Sequence, residues 1–326
     1  MKKMFLLLVA LMGAAVSFAQ STLVVTLSHG DEITMYYGSG ALGNAWSAAV
    51  SGDVINLSGG TFNLNNLTCN KAVTLRGTGI DASFPTTITG SFTLDIPDTD
   101  TCTMSMEGIR CDGRLTLKGT FEKVLFLKSK FSEINWQTTS TNKKDFKICN
   151  CKITSYCDIN SCSTINFVNS FIRIFRSYST GSGLFLNCLV GSYGYCKNAS
   201  FVNSVVFGGS FVDAQTCIAM NSVSAHDSGW DIFTDMSTAK INCPFTTISN
   251  VFKSFRGSYS DGETFELTDE AKNTYIGTDG KEVGMYGGDL PYSSTPSYPQ
   301  ITKMNVANKT TADGKLSVEI EVSATE

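Results

Sequence analysis

The stretch Phe201-Val202-Asn203-Ser204-Val205-Val206 is one copy of a short pattern that recurs through the middle of the 326-residue chain. Each copy has two or three β-forming residues, an asparagine, a serine or cysteine, and then more β-forming residues. The other copies occupy residues 146–153, 165–172, 184–190 and 218–223. The asparagines of the five copies are Asn150, Asn169, Asn187, Asn203 and Asn221, spaced 19, 18, 16 and 18 residues apart. A recurring spacing of this kind indicates a repeat architecture.

The length of the repeat selects one architecture from several. Helical repeats need about 33–47 residues and propeller blades about 40 or more, and the leucine spacing of leucine-rich repeats is absent. A parallel β-helix fits, because each turn, or rung, is built from short strands and buries its apolar face only by stacking. The drift in spacing argues against a left-handed hexapeptide helix. We therefore predict an all-β fold, namely a parallel β-helix. Its turns are expected to be right-handed, because crossover connections between parallel strands are right-handed.

The asparagines are expected to form a structural ladder at one corner of the β-helix. Asparagine tolerates the left-handed backbone conformation that a sharp corner needs, and its amide bonds to backbone groups. Stacked rungs would place the five side chains in one column with a separation of about 5 Å.

The two ends of the repeat region carry a family resemblance. Residues 41–50 are predicted to form a short helix or a capping turn that covers the first rung, and Gly52-Asp53-Val54-Ile55-Asn56-Leu57 follows as a strand. Residues 275–280 and 283–288 have the composition of a closing segment. These stretches resemble exported right-handed parallel β-helix (pectin-lyase-like) proteins of the Bacteroidetes type. The resemblance implies the fold and leaves the activity open, since that fold serves lyases, glycosidases and adhesins.

Changes in composition predict the boundaries of the regions. The signal peptide is expected at 1–19, an N-terminal strand and cap at 20–50, and the parallel β-helix at 51–288. A linker rich in proline and serine is expected at 289–300, because it holds three of the six prolines. The last region, 301–326, contains two β-like runs and is expected to form a strand pair.

The first residues resemble an export signal. Lys2 and Lys3 precede an apolar stretch that is too short for a typical membrane anchor, and Ser17 and Ala19 suit signal peptidase cleavage. We expect export by the general secretory route to the periplasm, the cell surface or the medium, and no transmembrane segment in the mature chain. The full chain has 25 basic and 29 acidic side chains, so nucleic acid is not an expected partner.

The eleven cysteines are expected to be mostly buried free thiols. Cys151, Cys188 and Cys243 occupy the slot in which other copies of the repeat carry serine, so they act as small buried side chains. One or two disulfides, for example between Cys157 and Cys162, remain an alternative. No CxxC pair is present, and we expect no metal and no cofactor.

A ligand site is predicted on the turns around residues 190–235. This stretch combines aromatic and titratable side chains, which suit the faces and hydroxyl groups of sugars. Its members are Tyr193, Tyr195, His226, Asp227, Trp230 and Asp231. The alternatives are a solvated turn at 226–231 and a Tyr-Gly-Tyr strand with one ring in the core.

Two classes of function follow from these features. The characteristic motifs of galacturonases and pectate lyases are missing, so we expect no catalytic residues and a non-catalytic role in binding a polysaccharide or cell-surface glycan, or a structural role. The alternative is a polysaccharide lyase or glycoside hydrolase with a divergent site. Two or three carboxylates beside Arg or Lys would favour the enzyme, and a flat Ser/Thr/Asn face would favour the binding protein.

Overall fold

The structure is a computed structural model. It describes residues 23–97, 99–119, 121–137, 145–159, 164–178, 181–192, 195–209, 216–235, 240–306, 309–311 and 313–323. The expected signal peptide lies outside these residues.

A first sheet takes one strand from each rung, and these strands pair in parallel and in chain order. They are Val54–Leu57, Thr74–Arg76, Thr103–Glu107, Lys123–Leu127, Asp145–Cys149, Ile165–Val168, Gly183–Leu186, Asn198–Val202, Thr216–Met220 and Lys240–Ile241.

A second parallel sheet follows the first around a sharp corner in each rung. Its strands are Gly60–Asn63, Thr86–Thr89, Ile109–Gly119, Lys130–Trp136, Lys152–Ile159, Phe171–Ile172, Leu189–Ser192, Val205–Gly208, Val223–Ala225 and Phe245–Thr246. The three long strands bend, and their ends pair in a stack with Thr68–Cys69, Phe92–Ile96 and Phe175–Ser177. We call the part of each rung that runs from these bent ends, or from the end of a shorter second-sheet strand, to the next first-sheet strand the third side.

The first rung is covered by an antiparallel hairpin and a helix. The strands Val24–His29 and Glu32–Tyr37 pair with each other, and the first of them also pairs with Val54–Leu57. The helix Ala41–Ala48 then buries Trp46 against this end of the core. Such a cover keeps the first parallel strand from presenting an open edge to other chains.

The prediction of an all-β parallel β-helix is therefore confirmed. The C-terminal strand pair is also present, since Gln300–Val306 lies antiparallel to Val318–Ser323. The remaining helical elements are short, namely Ile232–Asp235 (3-10), Ile248–Val251 and Asp269–Thr274.

Stacked phenylalanines fill the interior behind the first sheet. The rings of Phe167 and Phe185 are 4.8 Å apart at 11°, and those of Phe185 and Phe201 are 5.0 Å apart at 9°. All three side chains are fully buried. These ring separations match the distance between neighbouring strands, about 4.8 Å, because identical positions of successive rungs lie above each other.

The five repeat asparagines stand at the corner between the first and second sheets. Each has a positive φ, between 45° and 54°, which asparagine adopts more readily than most side chains. The backbone N–H of Asn169 donates to the carbonyl of Leu186, just before the next asparagine, at 3.0 Å. Equivalent bonds join Asn150 to Val168, Asn187 to Val202, Asn203 to Met220 and Asn221 to Ile241.

The serine or cysteine after each asparagine closes the corner. The hydroxyl of Ser204 donates to the carbonyl two residues earlier at 2.9 Å, and it accepts the N–H of Cys188 at 3.0 Å. Cys188 itself is fully buried, and burial raises the pKa of its thiol. None of the described cysteines is in a disulfide, while Cys162 lies outside the described residues.

The chain after the last rung turns back along the solenoid, and we call residues 247–299 the returning segment. Its apolar side chains cover the outer face of the second sheet and form a second core there. Phe171, for example, projects outward from the sheet and stacks on Phe265 at 4.5 Å and 16°. The β-helix was expected to reach residue 288, but its paired strands end at Thr246, because the following residues cover the sheet instead of extending it.

Polar contacts hold the returning segment on the asparagine corner. Asn169 donates its side-chain amide to the carbonyls of Met285 at 3.0 Å and Gly287 at 2.7 Å. Asn203 accepts the N–H of Thr278 at 3.0 Å. Of the repeat asparagines, these two thus bond with their side chains to the returning segment and with their backbones to the neighbouring rung.

The stretch 289–300, expected as a linker, is docked on the solenoid as well. The N–H of Ser297 donates to a carboxylate oxygen of Glu107 at 2.6 Å, and the Tyr298 hydroxyl donates to the carbonyl of Gly77. Pro296 is buried and lies over Gly108, where an added Cβ would come within 2.9 Å of the proline ring. The stretch 289–300 has the composition of a linker, but it packs against small residues of the solenoid such as Gly108.

The asparagine contacts generate a stability prediction. Asn169→Gly keeps a residue that accepts a positive φ but removes both bonds to the returning segment, so it should lower the free energy of unfolding by about 1–3 kcal/mol. Denaturant titration measures the change, and protease cleavage within residues 289–300 should become faster.

Asn150→Gly is the matched control. Asn150 has the same backbone conformation, and its side-chain oxygen has no partner among the described residues. Equal losses of stability in the two variants would contradict the role assigned to the Asn169 side chain.

Candidate functional site

The predicted site residues lie on the third side of the solenoid. Tyr193 lies outside the described residues. Tyr195 is 46% exposed, and its ring centroid is 5.5 Å from that of Tyr178, which is 38% exposed and comes from the preceding rung. This pair forms an open aromatic surface.

The loop 226–231 lies on the same side, two rungs further along. His226 Nδ1 is 2.7 Å from the hydroxyl of Ser228, and Trp230 is 46% exposed. The rung between this loop and Tyr195 includes residues 210–215, which lie outside the described residues. The structure therefore places both groups on one side and gives no direct contact between them.

Both carboxylates of this loop hold the local backbone. Asp227 Oδ1 accepts the N–H of Ile248 at 2.9 Å, at the start of a short helix. Asp231 accepts the N–H of Phe233 at 3.0 Å and pairs with Lys240 at 2.7 Å. Burial raises the pKa of Asp231, but these hydrogen bonds outweigh it and leave the pKa lowered. These carboxylates serve the fold, whereas the Trp230 ring of the loop is exposed.

A group of charged side chains occupies the third side nearer to the N-terminal end. Arg114 and Glu133 form an ion pair at 2.6 Å, and Arg176 lies 3.9 Å from Asp158. The Arg176 guanidinium also lies 4.2 Å above the Tyr156 ring. Burial raises the pKa of Asp158, which Arg176 opposes and Glu133 reinforces. Asp158 Oδ1 is buried and has no hydrogen-bond partner in the described residues.

The second sheet carries a column of cations on its outer face. Arg110, Lys130 and Lys152 occupy the same position of three successive rungs, where the next rung has Phe171. This column of cations is not among the residues predicted from the sequence. Aligning the copies of the repeat would have shown it, because Lys130 and Lys152 directly follow the corner residues Ser129 and Cys151.

Lys152 lines a cleft beneath the returning segment. The cleft has a volume of about 450 Å³ and is lined by residues that include Asp81, Glu263, Tyr286 and Tyr292. A volume of this size is in the range that binds small molecules. Lys152 is 9% exposed, and burial lowers the pKa of its ammonium group.

The described residues contain no cluster of three His, Cys, Asp or Glu side chains arranged for a metal ion. None of the helices in the described part of the chain is both long and apolar enough to span a membrane. No protein-family model, curated protein or solved structure matches the chain.

The different roles within the loop 226–231 can be separated by mutation. Asp227→Ala removes an acceptor for the first N–H of a helix and should cost about 0.5–2 kcal/mol of unfolding free energy. Trp230→Ala removes an exposed ring and should change it by less than about 0.5 kcal/mol. Denaturant titration of the two variants provides the comparison, and the reverse order would mean that Trp230 is a core residue.

Proposed function

We propose that this protein is an exported, non-catalytic β-helix that binds a polysaccharide or cell-surface glycan along its third side. The observation that carries the proposal is the exposed Tyr178–Tyr195 pair, two rings from neighbouring rungs with centroids 5.5 Å apart. Aromatic faces of this kind stack on the apolar faces of sugar rings.

The surroundings of the pair support a sugar ligand. Tyr156 and the Arg176 guanidinium stack on the same side of the solenoid, and Trp230 extends the row of rings two rungs beyond Tyr195. Arginine and carboxylate groups beside the rings provide donors and acceptors for hydroxyl groups. The rings of Tyr156, Tyr178 and Tyr195 come from three successive rungs, and this spacing suits an extended chain of sugar units rather than a compact ligand.

Export and family membership are part of the same proposal. They rest on the charged and apolar composition of residues 1–19 and on the resemblance of residues 41–57 and 275–288 to pectin-lyase-like proteins. Right-handed turns are proposed with them.

The double variant Tyr178→Ala with Tyr195→Ala tests the binding surface. A glycan array identifies the glycan that the wild-type protein retains most strongly, and binding to that glycan should weaken at least about tenfold when both rings are removed. The thermal unfolding temperature should stay near the wild-type value, because both rings are exposed.

Tyr37→Ala is the control for this experiment. Tyr37 is 61% exposed on the N-terminal hairpin, away from the third side. Unchanged retention in the folded double variant, or an equal loss in Tyr37→Ala, would rule out the proposed surface.

The carboxylates of the third side favour a second candidate, a glycoside hydrolase or polysaccharide lyase. Such hydrolases commonly pair a protonated carboxyl group with an ionised one, and the raised pKa of Asp158 near Glu133 has this character. The assay is release of reducing ends or unsaturated uronates from a panel of polysaccharides. An enzyme would lose nearly all release in Asp158→Asn and keep it in Asp112→Asn, whereas the binding protein releases nothing in any form.

A further inference from the structure

Two of the three cations in the column Arg110, Lys130 and Lys152 are partnered. The Nε of Arg110 donates to a backbone carbonyl at 2.6 Å, and its guanidinium is 4.0 Å from Asp81. Lys130 forms an ion pair of 2.6 Å with Asp261. Arg110 and Lys130 are thus engaged by other protein groups, whereas the ammonium group of Lys152 is available to a ligand.

The surroundings of Lys152 give its ammonium group no direct ion-pair partner among the described residues. Its Nζ lies 5.3 Å from the ring centroid of Tyr292 and 5.9 Å from that of Phe265. None of the described residues gives this ammonium group a hydrogen bond or an ion pair. A charge that is nine-tenths buried and unpaired is costly, so a ligand that supplies the opposite charge would be stabilised there.

A second unsatisfied group belongs to a residue that lines the same cleft. The hydroxyl of Tyr292 is buried and has no partner among the described residues. Burial, followed by the Asp81 charge, raises the pKa of Tyr292, so its hydroxyl stays protonated and can donate. Two hydrogen-bond donors without partners in the described part of the chain, an ammonium and a phenol, thus belong to residues that line the cleft, and a ligand that satisfies both must be an acceptor.

The other charges limit how negative that ligand can be. Asp81 and Glu263 also line the cleft, and Asp261 pairs with Lys130 at its edge. Three acidic side chains thus balance the three cations of the column, which disfavours polyanions and phosphates. A single carboxylate can accept from both donors while adding only one negative charge.

We propose that the cleft under the returning segment binds a carboxylate-bearing small molecule through Lys152 and Tyr292. The carboxylate belongs either to a sugar acid or to a free organic acid, and both chemistries satisfy the same two donors. The site is on the second sheet, so it is separate from the glycan surface proposed for the third side.

Calorimetric titration of the full chain tests this site with sodium glucuronate and sodium butyrate, and methyl glucoside, butyramide and sodium sulfate serve as comparisons. We expect at least one carboxylate to bind and the neutral compounds not to bind. Binding of glucuronate alone identifies a sugar acid, and binding of butyrate identifies a free acid. Failure of both carboxylates, or binding of sulfate in their place, would overturn the proposal.

Two variants locate the binding. Lys152→Met keeps most of the length of the side chain and removes its charge, and it should weaken carboxylate binding at least about tenfold. Tyr292→Phe removes only the hydroxyl and should weaken binding by about two- to tenfold. Because Tyr292→Phe retains the ring, it tests the site even if Lys152→Met fails to fold, and wild-type affinity in either folded variant would contradict the assignment.

Lys147→Met is the matched control, since Lys147 lies half-exposed on the first sheet. The double variant Tyr178→Ala with Tyr195→Ala should bind carboxylate as the wild type does, so failure of the glycan proposal can be told apart from failure of this one. Lys152→Met should also raise the thermal unfolding temperature, because it removes a buried unpaired charge. A lower temperature would mean that the ammonium only supports the packing of the Phe265 and Tyr292 rings.

Discussion

The hydrogen bond from each corner asparagine to the next rung is the constraint on which the rest of the structure depends. The bond from Asn169 to Leu186 forms only because the asparagine backbone takes a positive φ, which turns the chain sharply from the first sheet to the second. Repetition of this corner keeps the rungs in register. The phenylalanines behind the first sheet and the cations outside the second can then stack, since equivalent positions lie above each other.

The outer face of the second sheet changes character along the stack, and the returning segment follows that change. From Phe171 onward the outward positions are apolar and are covered by a second core. On the three preceding rungs they are basic, and the cover there consists of tyrosines, serines and carboxylates with a cleft between them. The cleft thus lies where an apolar surface meets a charged one, which is where a polar ligand can replace protein contacts.

The repeat alone was enough to predict the rungs, because the spacing of the asparagines reports a purely local corner. The returning segment could not be predicted in this way, since it has no period of its own and its partners are distant in sequence. Asn169 and Met285, for example, are 116 residues apart. The structural roles of Asp227 and Asp231 could not be predicted either, because a sequence pattern does not specify which groups they bond to in the folded chain. An alignment of the repeats would have shown that Lys152 belongs to a column of cations. The absence of a direct partner for it among the described residues depends on the returning segment, which the repeats do not predict.

A solenoid in which each rung touches only its neighbours should unfold gradually from its ends, as a one-dimensional stack does. The returning segment alters that behaviour, because it ties late parts of the chain to early rungs. The contact of Tyr298 with Gly77 spans 221 residues, and it can form only after the rungs between them are in place. The segment is therefore expected to dock late in folding and to couple distant rungs, so that fraying at one end is opposed by contacts made near the other.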